Sequence, residues 1–196
     1  MKLKQKLLVL FALASSALTS AASATVIDFE STGTPDYYND LNYAIDGFVF
    51  NTTMDNLDGP YWSVPSAGHS GRYVALNNYG GMGAIGKQDG TTFSLYQMGF
   101  ANWPYSAPGG TFIVRGYLDG VEVGFAQKDT SNGWQTILVN FAKVDRVTFQ
   151  RDAPTGSEIF VVDDIVVNAV PEPETYAMLL AGLGLLGLVA RRRNNA

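Results

Sequence analysis

Between Thr25 and Ala169 no stretch keeps a 3.6-residue apolar period over three turns. Short runs rich in Val, Ile, Phe, Tyr and Thr recur instead, separated by Gly, Asn, Asp and Pro. Such a chain offers no continuous amphipathic helix face to bury, so its core has to come from sheets. The pattern predicts strands near 25–30, 47–52, 72–77, 91–101, 111–118, 121–127, 134–140, 144–150 and 159–168. Asp119-Gly120, between Leu118 and Val121, predicts a two-residue type I′ hairpin, because both central residues must take a positive φ. This many short strands in 145 residues imply one all-β domain, a two-sheet β-sandwich of jelly-roll type. Residues 31–46 and 53–71 read as long connections, the kind that are functional or tied down.

The two ends of the chain read differently. Lys2, Lys4 and Lys6 precede an apolar run, Leu7 to Ala14, and Ala22-Ser23-Ala24 forms an A-x-A cleavage site. That is a secretory signal peptide over residues 1–24, with Thr25 starting the mature chain. Near the other end, Thr175 to Ala190 carries no charge and is followed by Arg191, Arg192 and Arg193. As a helix it would measure about 24 Å, a little under a hydrocarbon core. It has no polar face, and Gly182, Gly184 and Gly187 make it a poor helix in water. The reading is a single hydrophobic transmembrane helix over about 175–190, held at least transiently in the inner membrane with its arginines cytoplasmic.

Export gives the absence of cysteine meaning: packing, a bound ion or both must do what disulfides do in many secreted domains. From Thr25 to Ala169 there are seven basic residues against 16 acidic ones, a net charge of −9. A surface that acidic repels phosphate backbones, which argues against a nucleic-acid partner and leaves cations and neutral sugars as compatible ligands.

Three places invite chemistry. Asp28 and Glu30 sit at the start of the domain, and Asp163-Asp164 interrupts its last apolar run, Phe160 to Val167. Adjacent residues of a strand face opposite ways, so one aspartate is expected to be directed toward the core and to need a partner. Calcium would serve, as would an arginine or exposure at a strand end. Second, Tyr61-Trp62, Trp103 with Tyr105, and Trp134 stand in or beside predicted loops. Sugar C–H faces stack on such rings while polar neighbours such as Asn102 or Asp58 hold hydroxyls. Trp62, Trp103 and Tyr105 are the candidate ligand-binding residues. Tryptophans in sandwiches also serve as core, and Trp134, opening a strand, is expected to be packed. Third, the single histidine, His69, lies in Gly68-His69-Ser70-Gly71. Its neighbour Ser70 is too close in sequence to be oriented as a nucleophile, and no G-x-S-x-G or H-E-x-x-H occurs. His69 reads as a polar turn residue. Sixteen carboxylates would suffice for a glycosidase, but no pair stands out.

Two resemblances add to this. Pro171-Glu172-Pro173 after Val170, the apolar helix and the terminal arginines resemble the PEP-CTERM sorting signal of Gram-negative bacteria over residues 170–196. The resemblance implies recognition and cutting by an exosortase, release to the cell envelope or extracellular matrix, and association with exopolysaccharide and biofilm. "VIDFE", "HSGRYVALN" (His69 to Asn77) and "FVVDDIVV" (Phe160 to Val167) are similar to jelly-roll carbohydrate-binding modules. That similarity implies a structural calcium held by Glu30, Asp163 or Asp164, and backbone oxygens near the His69-Ser70-Gly71 turn. The reading is therefore a non-catalytic exported surface or matrix protein associated with polysaccharide. The alternatives are a purely structural surface protein without glycan binding, and a glycan-processing enzyme.

Overall fold

The computed structural model describes residues 24–168, apart from 33–37, 42, 66–68 and 154–157, together with Gly182. The expected signal peptide over residues 1–24 (except Ala24), the expected transmembrane helix over about 175–190 (except Gly182) and the expected sorting residues Pro171, Glu172, Pro173, Arg191, Arg192 and Arg193 lie outside the described residues. Among the described residues no helix is long and apolar enough to cross a membrane.

The domain is all-β, a two-sheet sandwich of jelly-roll type. Twelve strands follow in chain order: β1 (Thr25–Ile27), β2 (Tyr38–Asp40), β3 (Phe48–Phe50), β4 (Met54–Asp58), β5 (Tyr73–Asn77), β6 (Gly83–Lys87), β7 (Phe93–Asn102), β8 (Thr111–Leu118), β9 (Val121–Asp129), β10 (Gln135–Val144), β11 (Arg146–Asp152) and β12 (Phe160–Val167). One antiparallel sheet runs β10-β7-β12-β5-β4-β2, with β1 paired to β12; the other runs β3-β6-β11-β8-β9.

The inner faces meet in one core. Phe112, Val114 and Gly116 of β8 alternate inward, as a half-buried strand must. Phe100 of the seven-stranded sheet stacks on Phe112 of the five-stranded one, with centroids 4.3 Å apart and planes 5° from parallel. The ring of Phe160 meets Phe112 at 5.1 Å, edge to face. These rings bridge the layers and add specific geometry to the apolar area they remove from water. Asp119 (φ 52°) and Gly120 (φ 79°) form the expected turn between β8 and β9.

The seven-stranded sheet also buries its outer face. Val161 of β12, Ala101 of β7, Val74 of β5 and Leu57 of β4 form a second cluster with Val64. Trp62, Trp103, Trp134 and Leu76 pack on it. Two covered faces explain why Phe160, Val161 and Val162 are all buried in succession.

Three strands stand where none was expected. β2 and β4 lie inside the predicted connections 31–46 and 53–71, and β6 follows at 83–87. β4 reads Met-Asp-Asn-Leu-Asp, without a β-branched or aromatic residue, yet all five residues are buried. Pairing with β2 and β5 on its two sides, rather than propensity, makes it a strand. The predicted first strand is also shortened: β1 ends at Ile27, and Glu30 opens a 3-10 turn, Glu30–Thr32.

β4 carries an electrostatic cost. Asp55 faces Asp40 across the β2–β4 pair. Burial, then the charge of Asp40 and a side-chain hydrogen bond with it, push the Asp55 carboxyl up to about 6. A raised carboxyl favours the fold when protonated, and that contribution is lost as pH rises from about 4 through about 6. Asp55→Asn should therefore gain stability relative to wild type over that window, by up to roughly 3 kcal/mol, read from urea midpoints at pH 4 and pH 7. Phe112→Ala should cost about 3–5 kcal/mol, while Leu138→Ala, at an exposed position, should stay within about 0.5 kcal/mol.

Candidate functional site

A row of four aromatic rings lies over the second cluster. Tyr61 and Trp62 have centroids 5.4 Å apart, Trp62 and Trp103 5.9 Å, and Trp103 and Tyr105 5.7 Å. The inner two are half-buried against the sheet, while Tyr61 is 56% and Tyr105 68% exposed. The row thus has a packed middle and open ends.

Two loops hold it. After β4 the chain turns tightly, with the Trp62 amide donating to the Gly59 carbonyl and the Val64 amide doing the same. Asp58 accepts from the Tyr61 amide and takes two bonds from the Arg72 guanidinium, at 3.1 and 2.6 Å. The hydrogen bond from Arg72 is the main reason the Asp58 carboxyl lies below its usual range, against the effect of burial. Asp58, expected as a free polar neighbour, is therefore committed to fixing the turn. After β7, the Trp103 amide and the Ser106 hydroxyl both donate to the Ile159 carbonyl. Arg151 is buried beneath this loop and donates to the carbonyls of Ala107, Gly109 and Ile159. Desolvation lowers its pKa. Sequence reasoning missed Arg151; the signal available was one arginine on an otherwise inward-alternating strand.

Trp134 stays out of the row, as expected of a packed residue. Its indole N–H donates to the Pro65 carbonyl at 2.7 Å, and its ring lies 4.6 Å from that of His69. Asn102, the other expected polar neighbour, donates to the Thr130 hydroxyl.

The carboxylates named from the sequence converge on one turn, residues 69–73. Glu30 Oε1 accepts from the Arg72 and Tyr73 amides, at 2.5 and 2.6 Å. Asp164 Oδ2 accepts from the Ser70 amide at 3.0 Å. His69 Nδ1 lies 3.0 Å from Asp163 Oδ2 and 2.7 Å from the Ser70 carbonyl. Both are acceptors, so Nδ1 carries the proton. The expectation that Asp163 and Asp164 face opposite ways is corrected. Asp164 has φ 49°, and the β12–β7 register skips between Asp163 and Val166. A bulge therefore re-aims the side chains, and both aspartates reach adjacent residues of the same turn. His69 is a turn residue, but a buried and clamped one rather than a solvated one. Burial pushes the Asp163 carboxyl up to about 7 against the pull of His69. On His69, burial acts to lower the imidazole, while Asp163 and the Ser70 carbonyl outweigh it and raise it.

Asp163 Oδ1 is buried with no hydrogen-bond partner. The donors here are oxygens, the right chemistry for a hard cation. Among the described residues, no three His, Asp or Glu side chains are close enough together to hold an ion by themselves. A cation would thus need backbone carbonyls as further ligands. The Arg72 carbonyl already accepts from the Gly59 amide at 3.0 Å.

The site and the exit to the C-terminal segment lie at opposite ends of the sandwich. Asn102 pairs with Phe160 at one end of the β7–β12 ladder, and Leu95 with Val167 at the other. Trp103 follows Asn102, whereas Thr25 pairs with Val167.

Residues 169–193 match the PEP-CTERM protein-sorting motif. The chain is thus an exported protein with a C-terminal sorting signal. No curated protein matches it. Its structure is similar to that of a DUF4465 family protein from Bacteroides caccae (TM-score 0.52, 15% identity, 74% of this chain and 98% of that one). Other neighbours include the family 11 carbohydrate-binding module of Clostridium thermocellum in complex with a β-1,3-1,4-mixed-linked tetrasaccharide (TM-score 0.43, 15% identity, 77% and 98%). The xylan-binding CBM22-1 domain of Paenibacillus barcinonensis Xyn10C is another (TM-score 0.44, 11% identity, 76% and 96%).

Gly71 has φ 56°, and a Cβ there would overlap the Glu30 carboxyl group. Gly71→Ala should therefore cost about 2 kcal/mol or more, part from the left-handed backbone and part from the displaced clamp. Gly120→Ala, with φ 79° and open space around it, should cost only the backbone part; differential scanning calorimetry compares the two.

Proposed function

We propose that residues 25–169 form a non-catalytic polysaccharide-binding domain, sorted by an exosortase to the envelope or extracellular matrix and working there beside exopolysaccharide and biofilm material. The observation that carries this reading is the unbroken row Tyr61, Trp62, Trp103, Tyr105, with half-buried middle and exposed ends. Apolar surface with fixed orientation and a few polar flanks suits the C–H faces of sugars. The row's place at the end away from Val167 keeps it reachable while the sorting segment is engaged elsewhere. Two features favour binding over catalysis. The carboxyls with raised pKa values, Asp55 and Asp163, are both sealed from solvent, where a glycosidic bond does not reach. Asp58, Asp164 and Glu30 are held by N–H donors.

A second reading, a structural surface protein that contacts other proteins, is favoured by β9. This strand ends its sheet and exposes Val121, Val123 and Phe125. The two readings part on one experiment. Pull-down with the producing cell's own exopolysaccharide should retain the protein, and Trp103→Ala should weaken retention about tenfold or more. Retention unchanged in Trp62→Ala and Trp103→Ala, or no retention at all, favours the protein-contact reading.

A structural calcium ion at the clamp belongs to the same proposal, with Glu30 and Asp163 as carboxylate ligands and carbonyls of the turn completing the set. It would tie the first segment, the turn and the last strand by charge as well as by hydrogen bonds. Excess Ca²⁺ should raise the thermal midpoint over an EDTA-treated sample, by the equivalent of about 2.7 kcal/mol at a hundredfold excess over the dissociation constant. Asp163→Asn should remove the difference. Equal midpoints with Ca²⁺ and EDTA would exclude the ion.

A further inference from the structure

We infer that Arg151 is a positioning residue for ligand binding at the row: from the opposite sheet it fixes Trp103 and Tyr105 through the loop that carries them. The inference rests on the glycan-binding reading above. On β11, Val147 and Phe149 enter the core between the sheets, and Arg151 continues that alternation at the end of the strand, opposite Phe112 and 1% exposed. The loop above it, residues 103–110, reads Trp-Pro-Tyr-Ser-Ala-Pro-Gly-Gly. Two prolines without N–H groups and two glycines make it a poor strand, and it has no charged side chain of its own. Its carbonyls therefore need donors from elsewhere.

One guanidinium supplies them at both ends of the loop. Nη2 donates to the carbonyls of Ala107 and Gly109, the latter at 2.6 Å, and Nε donates to Gly109 at 3.2 Å. Nη1 donates to the Ile159 carbonyl at 3.4 Å. That same carbonyl accepts from the Trp103 amide at 3.3 Å and from the Ser106 hydroxyl at 3.2 Å. Gly109 and Gly110 take φ of 83° and 99°, and a Cβ on Gly110 would lie 2.3 Å from the Asp152 carbonyl oxygen. The loop is thus laid directly on β11. A planar fork can serve three carbonyls at once, which the compact ammonium of a lysine cannot match. Buried as Arg151 is, water does not replace a lost N–H, so the loop has to move when the fork is removed. Tyr105, 68% exposed, has little packing of its own, and its ring follows the backbone of this loop. With the fork in place, Trp103 and Tyr105 stand ordered before a ligand arrives, and the cost of ordering them is not subtracted from affinity.

The test uses the full-length protein. Affinity electrophoresis through gels holding the producing cell's exopolysaccharide measures retention, far below each variant's thermal midpoint. Acrylamide quenching reads Trp103 alone in a Trp62→Phe, Trp134→Phe background. Arg151→Lys keeps the charge and loses the fork; Ser106→Ala removes one donor from the Ile159 carbonyl at a half-buried position; Leu138→Ala is the surface control. Arg151→Lys should weaken retention about tenfold and open Trp103 to the quencher, and Ser106→Ala should weaken retention about threefold, both with the circular dichroism of wild type. A residue that only stabilises the fold would lower the midpoint and leave retention and quenching of the folded protein unchanged. That result in Arg151→Lys overturns the inference while leaving glycan binding standing. If Arg151→Lys does not fold, Ser106→Ala decides by the same two readings. No retention of wild type overturns the glycan-binding reading itself, and this inference with it.

Discussion

The burial of β12 on both faces is the constraint on which the rest of the structure depends. One face, through Phe160 and Val162, joins the core between the sheets; the other, through Val161, joins the second cluster. The inner face would make a sandwich by itself. The outer face adds a second apolar surface that has to be covered, and Val64 and Trp62 after β4 cover it, Trp62 lying on the sheet beside Trp103 and Trp134. The aromatic row is therefore an outgrowth of the packing, which is why its inner rings are half-buried and its outer rings are exposed.

The bulge at Asp164 couples that covering segment to the strand beneath it. A regular strand would send one aspartate to each face. The extra residue sends both to the turn at 69–73, where Glu30 arrives from the opposite terminus. The first segment of the domain, its longest covering loop and its last strand thereby meet at one clamp in a protein that has no cysteine. The Asp58–Arg72 pair extends the clamp to the turn that presents Tyr61 and Trp62, so order at the clamp and order at the row are linked.

Much of this was legible in the residues. Alternation in Thr111–Leu118, the Asp119-Gly120 turn and the apolar run at Phe160–Val167 are local signals, and each corresponds to an observed strand or hairpin. The pairing of Glu30 with Asp163 and Asp164 across the whole chain was readable as motif resemblance, and the structure brings them to the same turn. What escaped was non-local. β4 is a strand because two neighbours hydrogen-bond it, although its side chains argue for a loop. The bulge depends on register with β7, which no window of β12 contains. Arg151 is held by the loop carbonyls of Ala107 and Gly109, more than 40 residues away in the chain, which no local window around it contains. The sorting motif at 169–193 marks the chain for export and does not report on the domain's chemistry, which has to be read from the outer face of the seven-stranded sheet.

The three tryptophans give that reading its most direct measurement, because two of them stand in the row and the third beside it. Tryptophan emission of the full-length protein should change saturably when the producing cell's exopolysaccharide is titrated in, and Trp103→Ala should abolish most of the change. Emission that stays constant to the highest polysaccharide concentration, in a protein whose fold is confirmed by circular dichroism, would contradict the account.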